Sequence, residues 1–145
     1  MKALIQRVSG AKVDVAGETI GEIGQGLLVL LAVERNDDKN CAEKLAEKLV
    51  SYRVFSDAEQ RMNLSLRDIA GELLLVSQFT LAAETKKGLR PGFSSAAAPD
   101  KAEALYNFMA AAIKEKSIAV QTGRFGANMQ LSLINDGPVT FLLEV

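Results

Sequence analysis

Apolar positions along this chain come in three spacings, and each spacing predicts a different element. Gly26-Leu27-Leu28-Val29-Leu30-Leu31-Ala32-Val33 is apolar throughout, as a strand covered on both faces would be. Leu73–Leu81 opens with a second such run and is read as a second buried strand. The N-terminal segments, residues 3–8, Lys12–Val15 and Thr19–Ile23, are read as strands, the last two joined by a tight turn around Gly17, and Val13 and Val15 alternate with polar neighbours. Three further strands are predicted at the C-terminal end: Ile118–Thr122, Met129–Ile134 and Val139–Val145. Helical spacing appears twice. Ala42, Leu45, Ala46, Leu49 and Val50 form one apolar stripe, preceded by the capping candidates Asn36-Asp37-Asp38. Pro99 opens the other, with Ala102, Leu105, Tyr106, Met109, Ala112 and Ile113 on one face and Lys114 and Lys116 near its end.

Seven or eight strands with two helices, and no linker or repeat, predict one domain over residues 1–145. The fold class is α/β (α+β), with mixed sheets or a roll. Two helices cover only part of such a sheet, and the C-terminal strands carry apolar residues on both faces, Leu133 beside Ile134 and Phe141 beside Leu142. A second subunit is the simplest cover for that surface, so a homodimer is expected.

Composition changes the picture mainly by exclusion. The chain has no histidine, which removes Ser-His-Asp and Cys-His catalysis and zinc sites that need imidazole. One cysteine, Cys41, rules out thiolate clusters and an intrachain disulfide. Any hydrolase built from this inventory relies on carboxylates, lysines, hydroxyls, backbone amides or a group of the substrate. Seventeen basic against eighteen acidic residues give a net charge of -1, which argues against a large nucleic-acid footprint and leaves room for a small one. No apolar run is long enough to span a bilayer, so a cytoplasmic location and no membrane partner are expected.

Four segments stand out beyond the periodicity. Ser77-Gln78-Phe79-Thr80-Leu81 puts two hydroxyls and an amide at the end of a buried strand. Asn135-Asp136-Gly137-Pro138-Val139-Thr140 sets a Gly-Pro pair before a terminal apolar strand; glycine opens unusual backbone geometry, and X-Pro is the peptide bond most often cis. Gly123-Arg124-Phe125-Gly126-Ala127-Asn128-Met129 and Leu4-Ile5-Gln6-Arg7-Val8 complete the set. Together they resemble the D-aminoacyl-tRNA deacylases, which hydrolyse D-amino acids mischarged onto tRNA, and the resemblance runs from Met1 to Val145.

The resemblance implies a homodimer that binds the 3′ end of D-aminoacyl-tRNA and works without cofactor, metal or DNA partner. It implies that Ser77, Gln78, Phe79 and Thr80 form the catalytic segment, with backbone groups holding the ester and the 2′-hydroxyl of the terminal adenosine assisting. Preorganised N–H donors suit a carbonyl oxygen that gains charge, and the Phe79 and Thr80 amides are candidates. The Thr80 hydroxyl is the alternative as nucleophile; it needs a base, for which Glu84 or Lys87 would have to lie nearby. By resemblance, Gly137-Pro138 is cis and reaches into the partner's site, admitting D substrates and letting glycyl-tRNA through, while Arg7 holds its carbonyls. Phe125 and Met129 are candidates to flank the adenine. Lys86, Lys87 and Arg90 lie in a glycine-containing loop suited to phosphate contact. Here the chain departs from the family pattern: Gly88-Leu89-Arg90-Pro91-Gly92-Phe93 stands where Gly-Asn-Arg-Pro-Ser-Phe is common, and Ala82 replaces a frequent tyrosine. The residues also fit two other functions, a non-enzymatic module binding D-amino acids or nucleotides, and a nucleic-acid scaffold, which the near-neutral charge disfavours.

Overall fold

The computed structural model describes all 145 residues. Eight strands, two helices and one short 3-10 turn follow the order β1 (Lys2–Val15), β2 (Glu18–Ile23), β3 (Gly26–Ala32), α1 (Lys39–Ser51), β4 (Phe55–Ser56), β5 (Met62–Leu64), β6 (Glu72–Ser77), the 3-10 turn (Phe79–Ala82), α2 (Pro99–Glu115), β7 (Ala119–Thr122) and β8 (Gln130–Glu144). Asp38 is the N-cap of α1, its carboxylate accepting from the Cys41 amide at 2.9 Å.

The long β1 organises the main sheet. Residues 2–8 pair antiparallel with β3 and residues 11–15 with β2, while β8 runs antiparallel along the other edge from Lys2 to Asp14. Beyond β3, strands β6 and β7 are added in parallel, giving the order β2-β1-β3-β6-β7. The sheet curls until Gly21 of β2 lies against Thr122 of β7, forming a nearly closed barrel. Leu27–Val29 and Leu73–Val76 are buried because they run through the middle of this curl, and apolar side chains from both of their faces are consumed. One core joins the sheet to α1 and α2, with Leu45, Leu49, Met109 and Ile113 fully buried; a smaller one, including Val8, Val13, Leu28 and Leu74, fills the inside of the curl.

The fold class and both helices agree with the periodicity. Two pairs of separately predicted strands are each one strand, β1 and β8, because each is the other's partner along almost its whole length. The predicted Leu73–Leu81 strand ends at Ser77, and the small β4–β5 hairpin has no counterpart in the pattern.

Candidate active site

The exit of β6 builds one wall of the site. Leu73–Val76 are buried, Ser77 and Gln78 half-buried, and Phe79 and Thr80 exposed. Pairing with β7 stops at Leu75, and the Gln78 amide makes the last bond to β3 by donating to the Leu31 carbonyl at 2.7 Å. With no ladder left on either side, the chain tightens into the 3-10 turn, where the Leu81 amide donates to the Gln78 carbonyl at 3.2 Å and the Ala83 amide to the Thr80 carbonyl at 3.1 Å. The Phe79 and Thr80 amides precede the first of these bonds and have no partner within the turn. The Gln78 side-chain amide donates to the Thr80 hydroxyl, which ties that oxygen to its own segment.

The β7–β8 connection forms the opposite wall. The Gly123 amide donates to the Leu75 carbonyl at 2.9 Å, and the buried Tyr106 hydroxyl donates to the same carbonyl at 2.8 Å, with the Gly123 carbonyl 3.3 Å away. Burial pushes the Tyr106 hydroxyl up to about 12, partly offset by its bond to Gly123, so it is a neutral donor. The Phe125 ring lies 6.0 Å from the Tyr106 ring. Any Cβ on Gly123 would stand 2.7 Å from the Met129 sulfur, so that glycine lets Met129 close against the wall. The third side is the approach to α2, held by the Ala97 amide on the Val33 carbonyl at 3.0 Å.

These walls enclose a cavity of about 470 Å³ bordered by Ser77, Gln78, Phe79, Phe125 and Met129 together with small apolar residues. None of its thirteen lining residues is an acid, a base or a cysteine. Its chemistry is limited to hydroxyls, amides and whatever the ligand brings.

A second group forms at the middle of β8. Gln6 of β1 pairs with Thr140 and Val8 with Asn135, so residues 136–139 bulge out opposite Arg7. The Gly137-Pro138 bond is cis, and Gly137 sits at φ 136°, a backbone region that only glycine adopts without strain. Arg7 Nε donates to the Asp136 carbonyl at 2.9 Å and Nη1 to the Val54 carbonyl at 2.7 Å. Asn135 spans the bulge, its Oδ1 accepting from the Val139 amide at 2.9 Å and its Nδ2 donating to the Thr140 hydroxyl at 2.9 Å. Gly137 and Pro138 are exposed and do not border the cavity of their own chain.

Lys86, Lys87 and Arg90 are exposed on an excursion closed by reciprocal bonds between Glu84 and Gly92, 2.7 and 3.0 Å long. Five predicted residues thus meet in the cavity, with Thr80 beside it, Arg7 and Gly137-Pro138 in a separate group, and the three cations on a loop. Sequence reasoning gave no role to Asn135 or Tyr106. The signal for Asn135 is an amide placed to bracket a Gly-Pro pair; for Tyr106 it is that a phenol on a buried helix face must find an acceptor.

Residues 4–144 match the model of a family described as D-Tyr-tRNA(Tyr) deacylase. The chain belongs to that family. Among its relatives, the D-aminoacyl-tRNA deacylase of Pseudoalteromonas translucida is 59% identical over 145 residues, all of both chains. That of Stutzerimonas stutzeri is 62% identical over 144 residues, 99% of each. Of solved structures, one named c-Myc DNA Unwinding Element Binding Protein superposes with a TM-score of 0.94 at 40% identity, covering 100% of this chain and 99% of the other. A probable eukaryotic D-amino acid tRNA deacylase superposes at 0.85 with 18% identity, covering 99% and 98%, and shares the fold. The match to the deacylase family spans both the β6 exit and the Gly137-Pro138 bulge.

Proposed function

We propose that the chain hydrolyses the ester bond of D-aminoacyl-tRNA, releasing the free D-amino acid and tRNA, through backbone groups and the substrate's own hydroxyl. The observation that carries this reading is a cavity with no ionisable side chain in its walls, in a member of a deacylase family. Water adds to the ester carbonyl carbon, the carbonyl oxygen takes up negative charge, and the bond to the 3′ oxygen breaks as that oxygen receives a proton. The Phe79 and Thr80 amides, free of partners within their turn, are suited to the developing oxyanion; donors of this kind contribute about 2.7–4 kcal/mol each. The adjacent 2′-hydroxyl supplies the proton relay that no side chain of the cavity can. Phe125 and Met129 flank the adenine, and Lys86, Lys87 and Arg90 contact phosphates.

Gly137 and Pro138 act in the partner's cavity. Their exposure, and their absence from the walls of their own cavity, support a homodimer with composite sites, as does the exposed apolar surface of Ile134, Phe141 and Leu142 on β8. Their carbonyls accept from the substrate ammonium and leave no room for an L side chain; glycine, with none, passes. Arg7 braces the carbonyl before them. The reaction uses no cofactor or metal and takes place in the cytoplasm; no helix is long and apolar enough to cross a membrane.

Matched D- and L-tyrosyl-tRNA, with a 2′-deoxy terminal adenosine as the third arm, test the reading. Rapid loss of the D ester, a stable L ester and a slow deoxy substrate are expected. Equal rates on D and L esters, or a covalent acyl-Thr80 intermediate, would overturn it. The solved relative named for DNA binding raises a second reading, duplex binding. A net charge of -1 opposes it, and a salt-sensitive complex with duplex DNA would revive it.

A further inference from the structure

Two exposed aromatic rings, one bordering the cavity and the other packed on the first, have no part in the chemistry above. Phe79, which borders the cavity, is 61% exposed and Phe93 is 39% exposed. Their ring centroids are 5.0 Å apart with planes tilted by 49°, so each supports the other while presenting a face to solvent. The proposed reaction uses the Phe79 amide, not its ring, and does not use Phe93. Phe93 directly follows Gly92, whose bonds to Glu84 close the excursion carrying Lys86, Lys87 and Arg90. The three cations are thereby carried on the excursion that ends next to Phe93. The one carboxylate of that excursion, Glu84, already accepts from the Lys86 amide at 2.8 Å.

We infer that Phe79 and Phe93 form a stacking platform for the unpaired nucleotide on the 5′ side of the esterified adenosine. This rests on the reading that the adenosine end of aminoacyl-tRNA occupies the cavity. With the aminoacylated adenosine in the cavity of about 470 Å³, the preceding nucleotide would lie outside it, against the exposed ring of Phe79 on its border. Single strands are gripped by aromatic faces that take any base together with cations that follow the phosphates, and both features occur here side by side. A polyanion is the occupant whose charge complements Lys86, Lys87 and Arg90.

The test compares two substrates that differ only in what lies 5′ of the adenosine. Phe93→Leu keeps an apolar side chain and removes the ring face; Phe93→Tyr keeps the ring. With D-tyrosyl-tRNA, Phe93→Leu should raise KM by about five- to tenfold, the size of a lost stacked base at its lower end. The kcat should stay unchanged and Phe93→Tyr should behave as wild type. With the D-tyrosyl ester of free adenosine, which lacks the preceding nucleotide, all three proteins should be alike. Equal loss on both substrates would make Phe93 a support of the cavity and overturn the platform, as would no loss on either. Dissociation of Phe93→Leu to a smaller species in sedimentation would assign the surface to a second copy and overturn it too. A wild-type protein inactive on both esters would instead sink the deacylase reading, so the two failures are told apart.

Discussion

The exit of β6 and the bulge at Asn135–Thr140 both present backbone groups to solvent, but they are held in opposite ways. The exit takes its position from the sheet: the Gln78 amide bonds to Leu31, Gly123 bonds to Leu75, and the amides of Phe79 and Thr80 are free because the ladder has run out. The bulge has lost its ladder as well, yet side chains replace it, Arg7 from β1 and Asn135 from β8 itself. Side-chain substitutions should therefore leave the backbone in place at the exit and disturb it at the bulge.

Gly137→Ala should break the bulge most severely. At φ 136° an alanine is strained, and its Cβ would stand 2.6 Å from Val139 Cγ2 and 3.0 Å from Arg7 Nη2. We expect a loss of about 3 kcal/mol in urea unfolding and at least a tenfold fall in D-aminoacyl-tRNA turnover, about 1.4 kcal/mol of barrier. Arg7→Ala should follow. It leaves the carbonyls of Asp136 and buried Val54 without their charged donor, for about 1.5–3 kcal/mol in the same measurement and weaker D-over-L discrimination. Asn135→Ala, which orphans the part-buried Val139 amide, should cost about 1–2 kcal/mol. If Arg7→Ala and Asn135→Ala both retained full stability and selectivity, the bulge would be held by its backbone after all.

Tyr106 sharpens the contrast from the other side, as a side chain that ties the β6 wall to the β7–β8 connection. Its phenol is raised from 10.0 to about 12 in the folded protein, so the neutral form is favoured by folding. Its contribution is therefore complete below pH 10 and is lost as pH rises toward 12. Urea midpoints across that window should fall less steeply for Tyr106→Phe than for the wild type. Thr80→Ala should have the smallest effect, within about threefold on turnover, because the proposed mechanism uses the Thr80 amide and the hydroxyl is already tied to the Gln78 side chain. A loss of a thousandfold would return the nucleophile to Thr80.

What could be read from the sequence follows the same division. The Gly26–Ala32 strand, the Asp38 cap and the α2 stripe are local facts, written in periodicity and capping chemistry, and the structure agrees with them. Local spacing also predicts a break between residues 8 and 12, but β8 pairs across it, and partners so distant in sequence leave no mark on either segment's spacing. At the site, Ser77–Phe79 and Phe125–Met129 were legible as motifs, while their meeting depends on the parallel β6–β7 register and on Tyr106. The turn after Ser77 leaves no sign in the pattern because Phe79, Leu81 and Ala82 continue an apolar run; the end of the neighbouring strands stops the ladder there.

A cavity walled without acids, bases or thiols has a practical consequence for chemical biology. Fluorophosphonates and sulfonyl fluorides label hydrolases by capturing an activated hydroxyl, and here no side chain of the cavity stands ready to activate Ser77 or Thr80. Iodoacetamide would find only Cys41, on α1 and outside the cavity. Such an enzyme should pass unseen through activity-based profiling, and selective inhibitors for it will have to be shaped to hydrogen-bond donors and carbonyls rather than armed with a warhead.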